Sequence, residues 1–179
     1  MLAKIAKPLL MLSILTLALT PRLGAAQQAE ESKSESIGPW EIEATYKADK
    51  FDRCSIRRTL DDDIAVTFIR AGDGLTLMLE SPNWRLDRGK QYPVKMTLGP
   101  QTWDTEVAAD ANAVSIDVND KKFASGLRTA NALNMVAAGA TIRVALDSSR
   151  VALDRLEACV AKNSRAIETN PFVEPPRKP

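Results

Sequence analysis

The chain contains no histidine, and this decides most of what its reactive side chains can do. Ser-His-Asp and Cys-His nucleophiles, histidine general bases and zinc sites built on imidazole are all removed. Carboxylates, hydroxyls and amines remain. Asp61-Asp62-Asp63 is the densest charge. Three carboxylates beside a turn suit calcium, but the EF-hand spacing is missing, and consecutive strand residues cannot all face one ion. The run reads as a solvated hairpin turn. Glu80, Asp104, Glu106 and Asp110 are candidates for a glycosidase acid and base, yet nothing in their spacing singles out a pair. Ser148-Ser149 with Lys162 suggests a Ser-Lys hydrolase. The S-x-x-K motif is absent, because Ala152 stands three residues after Ser149, so an N-cap is the better reading. No catalytic, cofactor-binding or metal-ligating residue is expected.

Recognition leaves more candidates than catalysis. Basic residues come in pairs: Arg57-Arg58, Arg85 with Arg88, and Lys121-Lys122. They would form either a patch for acidic envelope polymers or a protein partner, or simply the wet faces of strands and a helix start. Trp84 follows Ser81-Pro82-Asn83 in an expected loop, which makes it a candidate recognition aromatic. Trp40 and Trp103 fall on apolar faces and are assigned to the core. The candidate partner-binding residues are therefore Trp84, Arg85, Arg88, Arg57 and Arg58.

The N-terminus sets the compartment in which these groups act. Lys4 and Lys7 precede an apolar run, Leu9 to Leu19, and Gly24-Ala25-Ala26 supplies small residues. A bilayer span takes about 20 apolar residues, and this run is shorter. Residues 1–26 are expected to be a secretory signal peptide cut after Ala26. Cleavage takes away Lys4, Lys7 and Arg22, leaving 21 basic residues against 23 acidic ones. That balance argues against nucleic acid as a partner, since phosphate binding needs a basic surface. Two cysteines in an exported chain predict one disulfide, Cys54 to Cys159, closing a loop of about 100 residues. A redox pair would show C-x-x-C spacing, which is absent. The protein is expected to be periplasmic or secreted.

Positioning these residues falls mainly to strands. Gln27 to Ile37 is polar and reads as a flexible leader. From Trp40 onward, apolar residues alternate with polar ones: Trp40–Tyr46, Cys54 and Ile56, Ile64–Ile69, Leu75–Leu79, Tyr92–Leu98, Trp103–Ala109 and Val114–Val118. In the third run Ile64, Val66 and Phe68 share one face, and Ala65, Thr67 and Ile69 the other. Asn119-Asp120 can cap a short helix with Phe123 and Leu127 inward, although Gly126 weakens it. Leu133–Ala137 and Ile142–Leu146 resume strand spacing. Ser148 or Ser149 then caps a last helix whose inner stripe is Ala152, Leu156, Cys159 and Val160, and Asn163 ends it. The Pro-rich tail, 164–179, is expected to be disordered. Alternation of period two is the antiparallel habit. The expected fold is mainly β: one domain, 38–163, formed as an antiparallel sandwich or open barrel of eight or nine strands, with one short helix and a C-terminal helix.

The order of these segments resembles something known. A Gly38-Pro39-Trp40 opening leads to Phe51-Asp52-Arg53-Cys54, then a Gly74-Leu75-Thr76-Leu77 strand. A helix ending in Leu127 follows, and Leu146 to Ser149 enters an Ala152-Leu153 helix. This layout is similar to small exported proteins of alphaproteobacteria and, loosely, to the invasion-associated locus B family. The resemblance spans most of 38–160. It implies a periplasmic or envelope-associated, non-enzymatic β-rich protein linked to host contact, and it assigns no site residue. The function expected is binding of another envelope or host component, without a cofactor. An inhibitor or accessory domain for an exported enzyme, acting through the loop Ser81 to Lys90, is the alternative, and a carboxylate-based hydrolase the third reading.

Overall fold

The computed structural model describes residues 34–48, 50–72 and 74–168. The expected signal peptide, most of the leader and the tail beyond Glu168 lie outside them, as does Asp73 of the Gly72-Asp73-Gly74 turn. Among the described residues, ten strands form one antiparallel sheet: β1 (Glu35–Ile37), β2 (Trp40–Lys47), β3 (Lys50–Thr59), β4 (Ala65–Ala71), β5 (Gly74–Glu80), β6 (Gln91–Leu98), β7 (Gln101–Ala109), β8 (Ala113–Asp117), β9 (Ala132–Ala137) and β10 (Ala140–Ala145). Their order in the sheet is β1-β2-β3-β4-β5-β8-β7-β6-β9-β10. Helix α1 (Lys121–Thr129) joins β8 to β9, and α2 (Ser149–Glu168) follows β10.

Alternation decides which face is buried. Trp40 and Ile42 of β2, Leu75, Leu77 and Leu79 of β5, and Val94, Met96 and Leu98 of β6 point into one core, while Glu41, Glu43 and Lys95 face water. Each fully buried aliphatic side chain there contributes about 1.5–3 kcal/mol relative to exposure. Strand β4 departs from the expected alternation, because Ala65, Val66, Thr67 and Phe68 are all buried. Thr67 lies directly between Arg57 of β3 and Met78 of β5 in register, so two long side chains flank it on the outer face.

Part of the expected leader is instead a strand. Glu35–Ile37 pair with Trp40–Ile42 as an edge strand, which brings the strand count to ten. Gly38 in the connecting turn has φ +57°, and a Cβ there would stand 2.8 Å from Ser148 Oγ. The β1–β2 turn therefore sits against the entry to α2. The sheet also curls, as twisted strands do. Strands third and tenth in the order are bridged by one side chain: Arg58 of β3 donates to the carbonyl of Ala145 at the end of β10 and meets Asp147 Oδ1 at 3.2 Å. Trp40 Nε1 donates to the Asp147 carbonyl at 2.9 Å. Backbone pairing does not join β10 to β1 among the described residues, so the curl stays open.

The helices close the core. Asp120 caps α1 as expected, its Oδ1 accepting from the Lys122 and Phe123 amides at 2.6 and 3.1 Å. Gly126 belongs in this helix for a packing reason: a Cβ there would lie 2.5 Å from Leu98 Cδ2 of β6. Helix α2 buries Ala152, Leu153 and Leu156 against β2, β3 and β4. Its start differs from expectation. The Ser149 hydroxyl is buried and donates to the Leu127 carbonyl at 2.7 Å, tying α2 to the end of α1 rather than capping its own helix. Ser148 sits at φ 60°. Nor does Asn163 end the helix, which runs on to Glu168. Its amide donates to the Cys159 carbonyl at 2.9 Å and its oxygen accepts from Tyr46 of β2 at 2.7 Å. Cys54 of β3 and Cys159 of α2 are bonded, with Cα atoms 6.2 Å apart, inside the range a disulfide spans without backbone distortion.

Candidate functional site

Of the residues expected to meet a partner, Arg58 is turned away from the surface. Neighbours on a strand point to opposite faces, so Arg57 lies outward beside Glu80 at 3.4 Å, while Arg58 turns inward over the Trp40 ring at 5.3 Å. With 13% of its side chain exposed, Arg58 is a clamp between β3 and the β10–α2 junction. The loop carrying Trp84 is docked on the β7–β8 hairpin. Ser81 N donates to Asn112 O, Leu86 N to Ala111 O, and Gly89 N to Ala109 O, at 2.8–3.0 Å. Trp84 is half-buried against the core. The Arg85 guanidinium folds back onto the carbonyls of Pro82 and Trp84 at 2.8 and 2.7 Å. Arg88 pairs with Asp110 at 2.8 Å, both highly exposed, an arrangement worth about 0–1 kcal/mol.

The expected carboxylates are dispersed. Asp61-Asp62-Asp63 are exposed in the β3–β4 hairpin turn, closed by a bond from Leu60 N to Ile64 O at 2.8 Å. Among the described residues, no group of three or more Cys, Asp or Glu side chains is placed to hold a metal ion. Glu80 lies on β5 and Asp110 in the β7–β8 turn, each engaged with the arginine named above. Lys162 lies well along α2, beyond the serines at its start. Asp104 and Glu106, by contrast, stand together on the outward face of β7 at the edge of an opening in the sheet.

That opening has a simple cause. Strand β7 pairs with β6 along nearly its whole length, from Gln101↔Leu98 to Ala108↔Gln91. It pairs with β8 only at Ala108↔Ser115 and Ala109↔Val114. Beyond those two rungs β8 leaves for α1, because Asn119-Asp120 starts a helix just after the strand. The Val118 amide is taken by the Leu75 carbonyl of β5 at 2.7 Å. Between the diverging strands lies a cavity of about 270 Å³ lined by Met96, Trp103, Asp104, Ile116, Asp117 and Phe123, among others. Its floor is apolar and its outer rim carries carboxylates.

Trp103 is the hinge of this site. Its place on an apolar face assigns it to the core, but it is only half-buried. Its ring meets Phe123 edge-on, centroids 5.1 Å apart at 81°, a favoured aromatic geometry. Its indole N–H donates to Asp120 Oδ2 at 3.2 Å. That hydrogen bond, followed by those from the Phe123 and Lys122 amides, holds the Asp120 carboxyl below the usual aspartate range. Asp120 is thus spent on the helix and the indole. Asp117 accepts from Thr76 at 3.0 Å. Asp104 lies 3.8 Å from Lys95 with 78% of its side chain exposed, a contact too loose to neutralise it. No salt bridge engages Glu106 among the described residues. The opening is not legible in the sequence, where Trp103–Ala109 and Val114–Val118 read as two ordinary consecutive strand runs. A partial signal is the helix cap, which follows Val114 by so few residues that β8 cannot match a nine-residue partner.

Comparison of the chain with protein-family models, with curated proteins and with solved structures found no match.

Proposed function

We propose that this chain is a non-enzymatic, exported binding protein of the cell envelope, and that it engages its partner at the opening between β7 and β8. The observation that carries the reading is the pairing of an apolar floor, Trp103, Phe123, Met96 and Ile116, with the strand edge left unpaired beside it. Exposed polar backbone next to apolar surface is where proteins accept partners. Two further features agree with export. The Cys54–Cys159 bond is of the kind that persists in oxidising compartments, and the first 26 residues read as a signal peptide. Among the described residues no helix is long and apolar enough to cross a membrane. The likeness of the Gly38-Pro39-Trp40 and Leu146–Leu153 segments to exported alphaproteobacterial proteins supports the same compartment.

The test is affinity capture from envelope fractions with oxidised protein, run beside a D104K/E106K variant. Both substituted residues are exposed, so the fold is retained. A component held by the native protein and released by the variant supports the reading. Equal retention by both places binding elsewhere. Hydrolysis of peptidoglycan or peptide substrates well above a boiled control would overturn the non-enzymatic assignment.

A further inference from the structure

We propose that the unpaired edge of β7 accepts an extended, basic polypeptide segment as an inserted strand, with alternate side chains apolar and basic. The inference rests on the binding function proposed above and names its partner's chemistry.

Three features of the opening specify that occupant. The first is backbone. Over Gln101–Val107, β7 has a partner on its β6 side only. In antiparallel geometry, alternate residues along such an edge present both N–H and C=O to the open side, and an added strand satisfies them, as in β-augmentation. The second is the inner face. Trp103 and Thr105 of β7, Ile116 of β8, Val118 just beyond it, Met96 and Phe123 line a cavity of about 270 Å³. Side chains of an inserted strand that point inward enter this apolar space, so they must be apolar and of modest size. The third is the outer face. Asp104 and Glu106 stand on β7, and Asp117 stands across the gap on β8. Outward side chains of the same strand lie between these carboxylates, so basic residues fit there and acidic ones are repelled. Lys95, opposite Asp104 on β6, is itself exposed and 3.8 Å away, and a closer cation displaces it.

The two outer edges of the sheet are poorer acceptors. The β1 edge is three residues long, and the β10 edge ends where Arg58 takes the Ala145 carbonyl. The β7 edge combines an unpaired run, an apolar pocket and a rim of carboxylates.

The probe is an acetylated, amidated heptapeptide alternating valine and lysine. Three controls accompany it: the same peptide with glutamate for lysine, the same peptide N-methylated at alternate residues, and the D104K/E106K protein. Binding is followed by titration, and hydrogen exchange is measured amide by amide. The expected result is saturable binding that slows exchange in Gln101–Val107. Affinity should fall at least tenfold with glutamate or N-methylation, and D104K/E106K should prefer the glutamate peptide. Binding unaffected by N-methylation, or without protection of β7, would overturn strand insertion. Failure of the lysine peptide to bind, while D104K/E106K still releases the envelope component, would overturn this occupant and leave the binding function standing. Retention of that component by D104K/E106K would remove both this occupant and the β7–β8 opening as the binding site.

Discussion

At the residue scale, adjacent side chains with the same chemistry have been given different work by strand alternation. Arg57 and Arg58 look like one basic pair in the sequence, yet one reaches water and the other stacks on Trp40 and grips the β10–α2 junction. Asp120 is a residue whose charge is bound to structure. Three donors converge on its carboxylate: the Trp103 indole and the amides of Lys122 and Phe123. Because its pKa is lowered on folding, the ionised form favours the folded state. That contribution is complete above the ordinary aspartate value of 3.8 and is lost as pH falls through the lower folded value. Asp120→Asn keeps a capping oxygen but loses the charge. The variant is expected to be less stable than the native protein at neutral pH, with the gap closing as pH drops below 3.8. Denaturant midpoints across pH 2–7 check this, and a gap that stays constant with pH would contradict it.

At the element scale, α1 controls both the core and the opening. It draws β8 away from β7, and its Phe123 supports Trp103. Its closeness to β6 requires a glycine at 126, where a Cβ would meet Leu98 Cδ2 at 2.5 Å and Cγ at 3.0 Å. On an exposed helix, Gly→Ala gains about 1 kcal/mol. Here Leu98 is buried, and overpacking costs about 1–3 kcal/mol. The overpacking wins, so Gly126→Ala is expected to lose about 1 kcal/mol in urea unfolding. Adding Leu98→Ala removes the clash, and the double variant should lose less than the two single losses combined. Strict additivity would mean that the helix does not press on β6.

At the scale of the whole molecule, the disulfide and the curl of the sheet do the same work from two sides. Cys54 and Cys159 are separated by 105 residues, so their bond closes nearly the whole domain. The chain-entropy model gives about 4–5 kcal/mol for a loop of that length. This is a large share of a stability that for most domains lies at about 5–15 kcal/mol. The double variant Cys54→Ala/Cys159→Ala is expected to lose about that amount, read as a fall in the denaturant midpoint. A loss below about 1 kcal/mol would show that the Arg58 and Trp40 contacts to the β10–α2 junction hold the closed form by themselves.

What could be read from the sequence was whatever depends on neighbours along the chain. The alternating runs gave nine of the ten described strands and their antiparallel sense, the Asp120 cap placed α1, and two cysteines in a chain read as exported gave the bond between β3 and α2. The tenth strand, Glu35–Ile37, is too short and polar to show a period, and it exists because β2 offers it an edge. The serine at 149 looks like a cap until the Leu127 carbonyl stands 2.7 Å from its hydroxyl. The candidate site was hidden for the same reason. Trp103, Asp104 and Glu106 are individually ordinary strand residues. They become a site because β8 turns into α1 and leaves β7 without a partner, and divergence of two strands is set by packing among distant segments, to which local periodicity is blind.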